Sequence, residues 1–197
     1  MHRHELTALL QRYAKRDAAS RAIADRFLAF VASRDDCLLR TCEPGHITAS
    51  AWIWSADRRA CLMTHHKKLD RWLQLGGHVD GEPRVQFGAL REAQEESGME
   101  RFELLAPRGE LMPLDLDVHA IPARKDEPEH LHWDVRFLFC AAPGQDLVLS
   151  AESKALQWVP RSEIAAFVGE ESVLRLERTA VAWESFTGAD AIRPCPL

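Results

Sequence analysis

The feature that most constrains this chain is a cluster of carboxylates at helical spacing behind a pair of glycines. Gly76-Gly77-His78-Val79-Asp80-Gly81-Glu82-Pro83 leads into a segment that ends Arg91-Glu92-Ala93-Gln94-Glu95-Glu96-Ser97-Gly98-Met99. The pattern predicts a helix from about Arg84 to Ser97, stopped by Gly98. On such a helix Glu92, Glu95 and Glu96 stand at i, i+3 and i+4 and project from one face. Three like charges within one turn repel one another, and a divalent cation removes that cost. Oxygen-rich clusters of this kind select the hard ions Mg²⁺ or Mn²⁺. Arg91 can pair with Glu95 one turn on, fixing one carboxylate. Gly76-Gly77 lets the backbone approach the helix and expose a carbonyl oxygen. A solvated charged face is the plain alternative for any such helix.

The elements around this segment alternate between helical and extended periods. Leu6, Leu9, Leu10 and Tyr13, then Ile23, Phe27, Phe30 and Val31, recur at helical spacing and predict a hairpin of two helices broken near Asp17. From His46 the period becomes two. Thr48 to Ser55 and Arg59 to His65 read as an antiparallel hairpin, and Trp72 to Leu75 as a short strand broken by Gly76-Gly77. Further strands are expected at Phe102 to Leu111, Leu114 to Ile121, Leu131 to Ala141 and Ala155 to Val159. Helices are expected to begin at Arg161 and to run from Ser172 to Phe186, before a Pro-rich tail. This order predicts an α+β fold with a mixed sheet between helices. Its expected division is an N-terminal helical appendage, residues 1–44, followed by a main domain, residues 45–197.

The glycine and helix segment closely resembles the Nudix box, G-x5-E-x7-R-E-U-x-E-E-x-G-U with U apolar. Gly77, Arg91, Glu92, Glu95, Glu96, Gly98 and Met99 match, with Ala93 as a small apolar fit. The first glutamate departs: Pro83 occupies its place, and Glu82 comes one residue early. The likeness extends over about residues 46 to 168. It implies a Nudix hydrolase, an α/β/α sandwich that hydrolyses a diphosphate linked to another moiety, such as a sugar nucleotide or a dinucleotide. It further implies that Glu92 and Glu96 are the main metal ligands, Glu95 a further ligand or base, the Gly77 carbonyl an extra ligand, and Arg91 the group that orients the glutamates. A nucleotide-binding sensor with the same fold and no turnover is the rival expectation.

Other candidates lie outside the box. Glu152, before the strand that ends Trp158-Val159-Pro160, is the first choice for a remote carboxylate that binds metal or activates water, with Glu127 and Glu129 as alternatives. His78, Trp72 and Arg124 are expected at the substrate, Arg124 as the partner of a distal phosphate. Trp72 and Gln74 flank the glycine loop. Asp117 with His119, and His132 with Asp134, each share one strand face. With His65, His66 and His130 they offer a second metal site, donors to phosphate, or ordinary rim residues. The N-terminal hairpin is a candidate homodimer interface or pocket cover.

Composition limits the partners. Lys and Arg number 25 against 30 Asp and Glu, for a net charge of −5, and no basic run appears, so nucleic acid is not expected. An acidic protein that handles an anionic substrate needs a local cation, which a bound metal supplies. The longest apolar runs, Phe27 to Ala32 and Phe137 to Ala142, are too short to span a membrane. Nothing near Met1-His2-Arg3-His4-Glu5 reads as a secretory signal, so the cytoplasm is the expected compartment. The five cysteines are scattered without a C-x-x-C pair and read as small core residues.

Overall fold

The computed structural model describes residues 3–123 and 128–197, and one aspartate sets the join between its first two helices. α1 (His4–Tyr13) buries Leu6, Leu9, Leu10 and Tyr13, the stripe its spacing predicts. Asp17 then caps α2 (Ala18–Ser33), its carboxylate accepting the Ser20 backbone N–H at 2.8 Å. Phe27, Phe30 and Val31 of α2 join one core with Leu6, Leu10, Ile47 and Phe137, and Phe30 stacks on Trp133 at a centroid distance of 4.5 Å. The hairpin read from sequence as an appendage thus closes the main core on this face.

The extended segments are β1 (Gly45–Trp54), β2 (Ala60–His66), β3 (Arg71–Leu73), β4 (Leu75–His78), β5 (Phe102–Pro107), β6 (Asp115–Ile121), β7 (His130–Ala141), β8 (Ser153–Pro160) and β9 (Ile192–Cys195), all in one mixed sheet. α3 (Val85–Ser97) lies between β4 and β5. It packs with α1 and α2 over one face through Val85, Ala89 and Ala93. α4 (Ile164–Phe167) and α5 (Glu171–Glu184) cover the other face, where Leu176, Ala180 and Trp183 meet Trp52, Trp54 and Leu138. The result is the expected α/β/α layering. No helix among the described residues is long and apolar enough to cross a membrane, and all five cysteines are free and buried.

Three expectations need correction. β1 and β2 meet at Trp54 opposite Cys61, but β1 does not otherwise form the expected simple hairpin. Its long partner is β7, in parallel from Gly45–Leu131 to Trp54–Cys140, with β4 antiparallel on its other side. β1 is buried at every position, as a strand covered on both faces should be, and such a strand is placed by the whole core rather than by the nearest turn. Gly76-Gly77 does not break a strand but lies within β4, opposite Ser50 and Ala49. The tail beyond α5 adds β9 to the edge of β5, where prolines are tolerated because an outer strand edge needs no donors.

Candidate active site

Side chains alternate across β1, and this alternation builds the site. Ile47, Ala49, Ala51 and Ile53 enter the core under α1, α2 and α3, while Trp52 and Trp54 enter the core under α5. The remaining residues in step with those tryptophans are His46, Thr48 and Ser50, all buried and all polar. β7 repeats the pattern with His130, His132, Asp134 and Arg136. Where the apolar core under α5 gives way, a cavity of about 440 Å³ opens, bounded by Thr48, Ser50, His132 and Asp134 together with the box glycines and glutamates.

α3 brings Glu92, Glu95 and Glu96 to this cavity on one face, as the spacing predicts. Glycine at 76 is required by closeness, since a Cβ there would lie 2.6 Å from Ser50 Cα, whereas at 77 only the Glu92 carboxylate stands in the way. A Cβ on Gly77 would lie 2.7 Å from Glu92 Oε2, and one on Gly76 would lie 2.5 Å from Ser50 Oγ. The Gly76 N–H donates to Glu96 Oε2 at 3.3 Å. Arg91 Nη2 donates to the His78 carbonyl at 2.5 Å and to Glu92 Oε1 at 3.1 Å, which ties α3 to β4. Its expected partner Glu95 stands further off, at 3.8 Å. Gly98 ends the helix in the left-handed region, φ 72°, with its N–H donating to the Gln94 carbonyl.

Glu96 is only 5% exposed, and no ion pair reaches it among the described residues. Burial pushes its carboxyl up to about 8, reinforced by the charges of Glu92, Glu152 and Glu95 and opposed by the Gly76 N–H. Burial also raises Glu92, against the pull of Arg91. Glu152 lies far away in sequence, yet it lines the same cavity and acts electrostatically on both box glutamates.

Gly77 and His78 also line the cavity, as does Gln74. Trp72, expected at the substrate, does not line it. Its side chain stacks on His65 at 4.9 Å and packs on Phe167 at the same distance, because alternation along β3 turns Leu73 toward the cavity instead. His65 is engaged there and by Asp70 at 2.9 Å. Arg124 and Glu127 lie outside the described residues, and Glu129 does not line the cavity. The displaced Glu82 accepts the Arg84 backbone N–H at 2.9 Å and sits 3.5 Å from the Arg84 guanidinium. It serves the start of α3 and does not line the cavity.

Sequence reasoning missed the ion network beneath the cavity. Arg136, 2% exposed on β7, donates to Asp134 at 2.8 Å, Asp117 at 3.0 Å and Asp115 at 3.3 Å. Arg175 of α5 reaches Asp115 at 2.8 Å and Asp117 at 2.7 Å. Asp134 also accepts from Ser50 Oγ and Thr48 Oγ1. Burial pushes Asp117 up, but His119, Arg136 and Arg175 outweigh it and hold this carboxyl well below the usual range. The available signal was polar residues at period two inside strands otherwise apolar enough to be buried on both faces. His46, absent from the sequence candidates, belongs to that pattern.

Among solved structures, the chain is similar to a NUDIX-family hydrolase from Clostridium perfringens, at 23% identity over 70% of this chain and 97% of that one, with a TM-score of 0.55. It is similar to the E. coli dihydroneopterin triphosphate pyrophosphohydrolase, at 16% identity over 69% and 95%, with a TM-score of 0.53. It also resembles RenU, a Nudix hydrolase from M. smegmatis, at 16% identity over 73% and 89%, with a TM-score of 0.50. At such identities the likeness shows the fold. No curated protein matches the chain at a significant level. The model of the NUDIX domain matches residues 44–177, a span that holds the glycine strand, the carboxylate helix and Glu152. With that match over well more than half of its length, the chain belongs to the Nudix family.

Proposed function

We propose that this protein is a divalent-metal-dependent pyrophosphohydrolase that cleaves the diphosphate of a nucleoside diphosphate linked to another moiety, of the sugar-nucleotide or dinucleotide class. The observation that carries this reading is Glu96: a buried carboxylate, crowded by Glu92, Glu95 and Glu152, with no cation paired to it among the described residues. A carboxylate raised to about 8 holds its proton at neutral pH until a cation takes that place. The donor set is oxygen only, the chemistry that suits Mg²⁺ or Mn²⁺.

Glu92 and Glu96 would hold the ion, with Glu95 as a further ligand or base and the Gly77 carbonyl as an extra donor. When bound, the ion neutralises diphosphate charge and supplies a water of lowered pKa. Arg91 holds Glu92 in place and, through the His78 carbonyl, sets α3 against β4. Glu152, which comes from beyond the box and lines the same cavity, would accept a proton from the attacking water. His78, Arg40 and Lys68 line the same cavity, where the two cations favour the substrate's outer phosphate.

The test is a panel of ADP-ribose, sugar nucleotides, dinucleotides and nucleoside triphosphates with Mg²⁺, products identified by mass, for wild type and Glu96→Gln. The expected outcome is a hydrolysed substrate whose turnover falls about 10³-fold or more in the variant, roughly 4 kcal/mol of transition-state stabilisation. Near-normal turnover by Glu96→Gln refutes the assignment of roles. Nucleotide binding without products from any member of the panel identifies a sensor instead.

A further inference from the structure

Five histidines converge at one end of the sheet, from four different strands. His46 on β1 pairs in register with His132 on β7, and His132 pairs in register with His119 on β6. His130 stands two residues before His132, and His78 comes from β4. The ring centroid of His46 lies 4.9 Å from that of His132, 5.1 Å from that of His130 and 4.9 Å from that of His78.

We propose that His46, His130 and His132 form a binding site for a borderline divalent transition ion, of the Zn²⁺ class, distinct from the carboxylate site in the adjoining part of the cavity. One ring nitrogen from each of the three lies within 4.8 Å of the others. Tetrahedral zinc with imidazole nitrogens at about 2.05 Å places those nitrogens about 3.4 Å apart. Binding would draw the nitrogens together by up to about 1.4 Å.

A second and independent observation points the same way. His46 is 3% exposed; the Cys42 backbone carbonyl acts on its ring, but neither ring nitrogen makes a hydrogen bond of normal geometry among the described residues. His132 Nε2 is likewise buried without one. Buried polar atoms in folded proteins are normally satisfied, and an orphan calls for a ligand or a water. His130 is already set for ligation. Its Nδ1 donates to the Pro128 carbonyl at 2.9 Å, which leaves Nε2 as the lone-pair nitrogen of the neutral ring. Imidazole nitrogens favour zinc, copper, nickel or iron over magnesium, so the histidine set and the carboxylate set differ in the ion they select.

Direct metal binding tests this without reference to turnover. The full chain, stripped with a chelator, is titrated with Zn²⁺ against a chromophoric competitor in millimolar Mg²⁺, and with Co²⁺ while its visible absorption is followed. One Zn²⁺ per chain is expected, with a Co²⁺ spectrum of nitrogen ligation. His46→Asn and His130→Gln should each weaken Zn²⁺ about 100-fold or more, beyond what loss of an outer hydrogen bond costs. Glu96→Gln should leave it within about threefold, since that residue belongs to the other site. His130 is the more exposed ligand, so its variant stays informative if His46→Asn fails to fold. Absence of stoichiometric Zn²⁺ binding, its survival in His130→Gln, or its loss in Glu96→Gln overturns the proposal. None of these outcomes depends on whether the Mg²⁺-dependent hydrolysis is found.

Discussion

Two groups of buried charge meet at one cavity, and they are treated in opposite ways. On α3, Glu92 and Glu96 are buried among other carboxylates, Arg91 reaches only the first of them, and both are pushed upward in pKa. Around Arg136 the carboxylates are buried too, but two cations, Arg136 and Arg175, lie among Asp115, Asp117 and Asp134, and Asp117 is pushed downward. Burial depth is therefore not what separates the two. The network around Arg136 holds three strands and α5 together, whereas on α3 the carboxylates outnumber the one cation that reaches them, an unfavourable arrangement that the proposed ion would relieve. Destabilised groups of this kind gather where chemistry is done.

The comparison breaks most visibly at its paired side. Arg136→Met removes one cation and leaves three aspartates buried, with Arg175 alone to answer them. Removing one partner of a buried ion pair costs about 3–5 kcal/mol. A melting temperature lower by roughly 10 °C is expected by calorimetry. A change of less than about 2 °C would mean that the network contributes little to holding the sheet.

At the unpaired side the sign reverses. The folded protein binds more protons at Glu96 than the unfolded chain does between the ordinary carboxylate pKa and about 8, so stability falls as pH rises through that window. In metal-free protein at pH 8–9, Glu96→Gln should therefore stabilise, on the order of 2 kcal/mol. Chemical denaturation at pH 5 and pH 9 checks it. A variant less stable than wild type at pH 9 would show that Glu96 is satisfied without an ion.

A smaller effect appears in acid. Asp117 has its carboxyl held low, so its stabilisation is complete above the ordinary carboxylate range and drains away as pH falls through its folded pKa. Asp117→Asn should lower stability at pH 7 and flatten the loss of stability below about pH 4. Parallel acid titrations of wild type and variant would contradict this. Least of all should change at Glu82, whose carboxylate serves the start of α3. Glu82→Ala is expected to cost about 1 kcal/mol of stability, the value of a helix-start hydrogen bond. Turnover on whatever substrate the panel identifies should stay within about threefold, and a larger loss would give Glu82 a part in the reaction.

The two charge groups also differ in how far the sequence revealed them. The carboxylate face of α3 follows from i, i+3 and i+4 spacing within one helix, which needs no knowledge of the rest of the chain. Gly98 as the stop and the break near Asp17 are local in the same sense. Helix periods, the change to period two at His46, and the α+β layering that they imply are all carried by near neighbours in the chain. Strand partners are not. That β1 runs parallel to β7, that Gly76-Gly77 completes a strand against Ser50 and Ala49, and that the tail supplies β9 depend on pairings between distant segments. Period two fixes which residues share a face but not which strand lies beside which. The row of His46, His132 and His119 and the aspartates around Arg136 exist only once that register is set. The sequence by itself determined the helical elements, the carboxylate cluster and the chemistry it suits. Tertiary structure alone decided which distant polar residues lie against that cluster, because those contacts are made between strands whose order is chosen by the burial of the whole core.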